Sequence, residues 1–119
     1  MNYISTRGGD IRYPSAMAIK LGIAPDGGLF IPETIPEVSL DQITSLARKP
    51  YVERAVEILS LFLTDYTQDE LREYASAAYA EEKFGPDPAP LSQLNKYNNK
   101  EFMLELWHGP TAAFKDMAL

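Results

Sequence analysis

Trp107-His108-Gly109-Pro110-Thr111-Ala112-Ala113-Phe114-Lys115-Asp116-Met117-Ala118-Leu119 reads as the end of a strand, a Gly-Pro turn and the first turn of a helix. That helix carries one lysine, Lys115, between Phe114 and Asp116, and the sequence ends at Leu119. A strand that runs through a tight turn into a helix is a unit of α/β architecture. A helix barely begun leads us to expect the front of a longer protein.

Immediately upstream the pattern is a hairpin. Leu91-Ser92-Gln93-Leu94 follows Pro90, and the second arm runs from Glu101 to Trp107. Leu104 and Leu106 alternate with Met103, Glu105 and Trp107, the period of a strand. The connection passes through Asn98-Asn99, and asparagine tolerates the positive φ a turn requires. Gly85, Pro86, Pro88 and Pro90 separate this hairpin from a helical middle. There Ser39 with Gln42, and Thr67 with Glu70, form two capping boxes. The first opens a helix to about Ala47, and Pro50 suits the first position of the next. Val52, Ala55, Val56, Leu59, Phe62 and Leu63 recur at three- and four-residue steps, as do Leu71, Tyr74, Ala75, Ala78 and Tyr79. This helix pair reads as a structural platform, with Phe62, Tyr74 and Tyr79 as core aromatics.

Toward the N-terminus, Asn2 to Thr6 reads as a strand and Arg7-Gly8-Gly9-Asp10 as a loop. Ser15 is placed to cap a helix from Ala16 to Leu21 that Gly22 ends. Pro25-Asp26-Gly27-Gly28 is a turn, because proline presets its first bend and glycine supplies positive φ. Leu29-Phe30-Ile31 then reads as a strand ended by Pro32. Asp41, Asp65 and Glu70 read as caps and helix-dipole partners.

Composition narrows the function. A formal charge of −6 carries no electrostatic footprint for nucleic acid or an anionic membrane. With no cysteine and a single histidine, His108, neither disulfides nor thiolate or His-rich metal sites can form. No apolar run is long enough to span a bilayer, no signal peptide is visible, and the expected compartment is the cytoplasm.

The lysine is the residue with chemistry. An amine attacks a carbonyl when it is neutral and fixed in place. Apolar neighbours favour the neutral form, and Ala112, Ala113, Phe114 and Met117 are the local candidates. Backbone N–H groups at a helix start favour phosphate. Such a segment suits a Schiff-base lysine for a phosphorylated aldehyde, although a lysine in the first turn of a helix is more often a solvated surface residue. Around it, Phe114 is either a cofactor contact or a core aromatic. Asp116 either orients the lysine or caps the helix. Thr111 reads first as the N-cap and second as a substrate or phosphate contact. His108 is a strand-end histidine or a donor near the site. Arg7 beside two glycines is a surface arginine or a phosphate contact, since guanidinium binds phosphate bidentately.

His108-Gly109-Pro110-Thr111, followed by Phe114-Lys115-Asp116, resembles the pyridoxal-phosphate (PLP) lysine motif of the threonine synthase family. It is similar to the branch whose motif begins His-Gly-Pro-Thr. Ser5-Thr6-Arg7-Gly8-Gly9 resembles the family's N-terminal signature, and Gly22-Ile23-Ala24-Pro25-Asp26-Gly27-Gly28-Leu29-Phe30-Ile31-Pro32 a second family segment, in the same order. Together the three matches, in order, span almost the whole chain from Ser5 to Asp116.

The resemblance implies a PLP enzyme of the tryptophan-synthase-like fold group that converts O-phospho-L-homoserine and water to L-threonine and phosphate. Lys115 would hold PLP, yield to the substrate amine and then move protons among the substrate carbons. Phe114, Asp116 and Thr111 are further candidate cofactor-binding residues. The expected fold class is α+β for this fragment of an α/β enzyme: a helix-rich N-terminal domain over 1–85, with a small sheet and hairpin, then the start of the PLP-binding catalytic domain over 86–119. No glycine-rich phosphate loop follows the lysine, so the chain alone is expected to be inactive, with 108–119 mobile or held by a second copy. The alternatives are a threonine-synthase-like phospholyase of the same fold and a non-catalytic helical interaction module.

Overall fold

The computed structural model describes residues 1–95 and 100–118. The chain divides into two compact units, Met1–Tyr74 and Ala75–Leu119.

The first unit opens on β1 (Asn2–Ser5), the centre of an antiparallel sheet ordered β2-β1-β3. β3 (Phe30–Pro32) pairs Ile31 with Ile4 and Phe30 with Ser5, as the two apolar N-terminal segments lead one to expect. Pro32 ends this strand as expected, as its last residue, opposite Tyr3. Proline is tolerated on such an edge strand, where no ladder hydrogen bond needs its nitrogen. The short β2 (Tyr13–Pro14) is an addition to the expected sheet and pairs Tyr13 with Tyr3. It brings the Tyr13 ring edge-on to Phe30, centroids 5.0 Å apart, a favoured aromatic geometry.

α1 (Ser15–Leu21) begins one residue earlier than expected, and Ser15 is not its cap. The N-cap is Pro14, which has no side-chain donor or acceptor; the role passes to Asp65, fifty residues on. Its carboxylate accepts from the Ser15 hydroxyl and, at 2.8 Å, from the Ala16 N–H. Gly22, at φ 72°, ends the helix as expected. α2 (Leu40–Leu46) carries the full Ser39–Gln42 capping box. α3 (Tyr51–Phe62) follows Pro50, which stands just outside the helix as its N-cap. α4 (Gln68–Ala78) opens on the reciprocal Thr67–Glu70 box. Val56 of α3 and Leu71 of α4 are buried, and Arg72 of α4 donates to Glu53 of α3 at 3.1 Å. Of the expected aromatic stripe, Phe62 and Tyr79 are half-buried, but Tyr74 is 53% exposed. Tyr74 instead meets Tyr66 edge to face at 6.2 Å.

In the second unit the helical pattern breaks at Tyr79–Ala80 and resumes as α5 (Glu81–Phe84). The break folds Phe84 back to a buried position against the Tyr79 ring, 5.7 Å between centroids. Gly85, at φ 76°, closes α5. β4 (Leu91–Gln93) and β5 (Phe102–Leu104) form the expected antiparallel hairpin, with Ser92 opposite Met103. The second arm ends at Leu104 rather than Trp107. The Glu105 N–H adds one bond to the Pro90 carbonyl, after which the Glu105 carboxylate takes Ser92 and His108 as partners. The expected Asn98-Asn99 connection lies outside the described residues. Lys115 stands in a four-residue 3₁₀-helix, Phe114–Met117, where an α-helix was expected.

Candidate active site around Lys115

The lysine segment is shaped by a turn and a clamp. Gly109 to Ala112 form the turn, closed by the Ala112 N–H on the Gly109 carbonyl at 3.0 Å. No described peptide bond is cis, so Pro110 turns the chain in the trans form. Ala112 leaves the turn at φ 55°, the left-handed region that costs a residue with a Cβ about 1 kcal/mol. Ala113 is extended and leads into the 3₁₀-helix as its N-cap.

Thr111 is therefore not the cap. It stands two residues before the cap position and faces Asp116 instead. The Thr111 hydroxyl donates to Asp116 Oδ1 at 2.6 Å and its N–H donates to Oδ2 at 2.7 Å. These two bonds, the hydroxyl's first, hold the Asp116 carboxyl below the ordinary carboxylate range. Gly109 makes room for the arrangement, because a Cβ there would collide with the Cβ and carboxylate of Asp116.

Lys115 projects from the backbone between Phe114 and Asp116. It lines a cavity of roughly 330 Å³ with Ala78, Lys83, Phe84, Pro110 and Asp116, all within the second unit. Lys115 is exposed, and its amine has no hydrogen bond or ion pair among the described residues. The apolar enclosure expected from its neighbours is not built by them. Phe114 is 64% exposed, Ala112 and Ala113 are exposed, and only Met117 is half-buried. The apolar wall comes instead from Ala78 of α4 and Phe84 of α5, well upstream of the lysine in sequence. Lys83, a second amine on the cavity, donates to the Ala77 carbonyl at 2.7 Å. The sequence pattern marks Ala78 only as a helix position and does not single out Lys83 or Phe84, which follow the break at Ala80.

His108 contacts Glu105 at 2.6 Å through Nε2 and stacks on Trp107. Glu105 also accepts from the Ser92 hydroxyl, and these bonds, Ser92 first, lower its carboxyl. His108 is thus a hydrogen-bonded histidine in the loop after β5, not at a strand end. The Glu105–His108 spacing of three residues was its only sequence signal.

The N-terminal signatures build a separate feature in the first unit. Asp26 accepts from the Ser5 hydroxyl at 2.7 Å and from the Gly28 N–H at 2.9 Å. The Gly27 N–H closes the expected turn on the Ala24 carbonyl at 2.8 Å, with Gly27 at φ 79°. Arg7 is exposed, and its guanidinium lies beside Gly27 and lowers the Asp26 carboxyl as a secondary cause after the Gly28 and Ser5 bonds.

The sequence pattern described as "Threonine synthase N terminus" matches residues 2–79, about two thirds of the chain. The chain belongs to the threonine synthase family. Over its whole length it is 40% identical to a protein named threonine synthase from Pseudomonas aeruginosa and 39% identical to one from Schizosaccharomyces pombe, covering 25% and 23% of them. In three dimensions it is similar to a PLP-bound threonine synthase from Brucella melitensis, with a TM-score of 0.86 at 37% identity, over 99% of this chain and 25% of that one. The chain therefore spans about a quarter of the length of the threonine synthases it matches. Its helices, small sheet and hairpin are the α+β arrangement of a family fragment.

Proposed function

We propose that this chain is the N-terminal part of a PLP-dependent threonine synthase, and that Lys115 is the residue that holds the cofactor. The observation that carries the reading is the Lys115 amine itself: unpartnered among the described residues, on the wall of a cavity, and projecting from a loop closed by hydrogen bonds. A primary amine is the donor an aldehyde cofactor requires, so the residues present fit the group. PLP, when bound, supplies the electron sink for chemistry at the substrate carbons. Lys115 Nζ would hold the cofactor and, as a free amine, would carry protons to and from the substrate. Phe84, Ala78 and Pro110 line the cavity beside the lysine. Phe114 is free to pack on the cofactor or on another part of the protein, since it is exposed here.

The substrate in this reading is O-phospho-L-homoserine, the products are L-threonine and phosphate, and the compartment is the cytoplasm. No described helix is long and apolar enough to cross a membrane. Residues 1–85 form the family's N-terminal domain and 86–119 the start of the cofactor domain. In this reading the 119 residues alone are inactive, since no glycine-rich phosphate loop follows the lysine within them.

The experiment is borohydride reduction of the PLP-loaded, full-length gene product, followed by peptide mapping. The cofactor should be fixed on Lys115, and Lys115→Ala should abolish both the label and the formation of threonine and phosphate. A label on another lysine overturns the assignment. Release of phosphate without threonine identifies a phospholyase instead.

A further inference from the structure

We propose that Asp116 is a positioning residue for Lys115: its carboxylate clamps Thr111 and so fixes the backbone from which the lysine amine projects. The inference rests on the reading of Lys115 as the cofactor-holding residue.

Three features point the same way. Both Asp116 oxygens are engaged by one residue, Oδ1 by the Thr111 hydroxyl and Oδ2 by the Thr111 N–H, at 2.6 and 2.7 Å. The contact closes a ring of backbone from Thr111 to Asp116 that contains the residues flanking the lysine. Gly109 has no side chain where Asp116 crosses it, so the loop can close only over a glycine. Ala112 is held at φ 55°, a conformation alanine does not choose unaided.

The need for a clamp follows from the helix. Phe114–Met117 is a single 3₁₀ turn with no side-chain cap. So short a helix is not stable on its own. With no bond to the Lys115 amine among the described residues, the backbone is what directs it. Asp116 does not act as a counter-ion to the lysine, because its two oxygens face Thr111. A group that sets the aim of a reacting atom matters disproportionately, since a misplacement of about 1 Å can cost roughly a hundredfold in rate. Serine at position 111 would preserve both donors, valine only the N–H, and alanine at position 116 neither acceptor.

The test has two arms. In the PLP-free, full-length protein, amide hydrogen exchange at Thr111 should quicken by about tenfold or more in Asp116→Ala, as expected for loss of a hydrogen bond worth roughly 1.5 kcal/mol. Unchanged exchange overturns the clamp whatever PLP does. In the PLP-loaded, full-length protein, Asp116→Ala should lower kcat by roughly tenfold to a hundredfold with KM within about twofold. It should also change the visible band of lysine-bound PLP, while far-UV circular dichroism stays as in wild type. Thr111→Val should show the same pattern more weakly, and Thr111→Ser should restore wild-type kcat and spectrum. A wild-type spectrum and kcat in Asp116→Ala overturn the proposal. So does a loss in Thr111→Val that Thr111→Ser does not repair. If Asp116→Ala does not fold, the Thr111 pair decides alone. Absence of PLP from Lys115 in wild type is a failure of the functional reading, and the exchange arm still separates it from failure of the clamp.

Discussion

The carboxylate of Asp65 accepts a hydrogen bond from the backbone N–H of Ala16 at 2.8 Å and a second from the buried Ser15 hydroxyl. A helix start has four N–H groups without intrahelical partners. Here one of them is satisfied by a residue beyond the end of α3. Asp65→Ala should therefore destabilise the first unit by about 2 kcal/mol, a lost cap together with a buried hydroxyl left unpaired. Urea unfolding checks this. Because Ser15 is the other partner, Ser15→Ala should cost less in the Asp65→Ala background than in wild type. Equal costs in both backgrounds would show that the two residues are not coupled.

Gly28 lies against Ser5 so closely that a Cβ at position 28 would overlap the Ser5 Oγ. Gly28→Ala should cost about 2 kcal/mol, in the range of overpacking at a buried site. The obstructing atom is the hydroxyl oxygen, so Ser5→Ala should recover part of the loss. Recovery will be incomplete, because the same hydroxyl donates to Asp26 at 2.7 Å. A double-mutant cycle by thermal or urea unfolding reads the sign of the coupling.

Asp26 makes this turn sensitive to acid. Its carboxyl is lowered from an ordinary value of 3.8, chiefly by the Gly28 N–H and then by the Ser5 hydroxyl. A group whose folded pKa is depressed contributes stability above its unfolded pKa and loses it as pH falls through the folded one. Stability should thus decline below about pH 4, and Asp26→Asn should flatten that decline while lowering stability at neutral pH. Glu33, Glu53, Glu70, Glu105 and Asp116 are shifted in the same direction, so the slope will shrink rather than vanish. Urea midpoints measured from pH 7 downward test this.

What the sequence revealed and what it concealed divide by range. The Ser39–Gln42 and Thr67–Glu70 boxes are read at a spacing of three residues, because the helix geometry that joins them is local. Asp65 is read as a cap, but its helix lies 49 residues back, a pairing only the tertiary fold creates. Tyr13–Pro14 escapes as a strand because two residues, one of them proline, show no alternation. The break at Ala80 escapes because alanine is the best helix former, whereas the packing of Tyr79 on Phe84 that accompanies the break is a tertiary contact. At the lysine the motif is legible as a family resemblance, whereas the Thr111–Asp116 clamp is not. It requires Ala112 in a left-handed conformation, which alanine does not announce.

Leu71 and Tyr74 lie one turn apart on α4 and look alike as apolar positions in the helical pattern. Leu71 is 2% exposed and Tyr74 is 53% exposed. Leu71→Ala should cost about 3 kcal/mol, the transfer and cavity terms of a closed core. Tyr74→Ala should cost about 1 kcal/mol or less, mostly the edge-to-face contact with Tyr66. Equal costs by urea unfolding would return Tyr74 to the core.

Gly109 separates a steric role from a hydrogen-bonding one. A Cβ at position 109 would collide with the Cβ of Asp116 before it met the carboxylate. Gly109→Ala should therefore force the turn and the 3₁₀-helix apart, and hydrogen exchange at Thr111 and Ala112 should quicken together. Asp116→Ala removes the carboxylate but keeps the Cβ, so it should not rescue Gly109→Ala. Asp116→Gly removes the colliding atom, and in that background the added methyl should be tolerated, although the Thr111 clamp is gone. Rescue by Asp116→Ala would show that the carboxylate alone obstructs position 109.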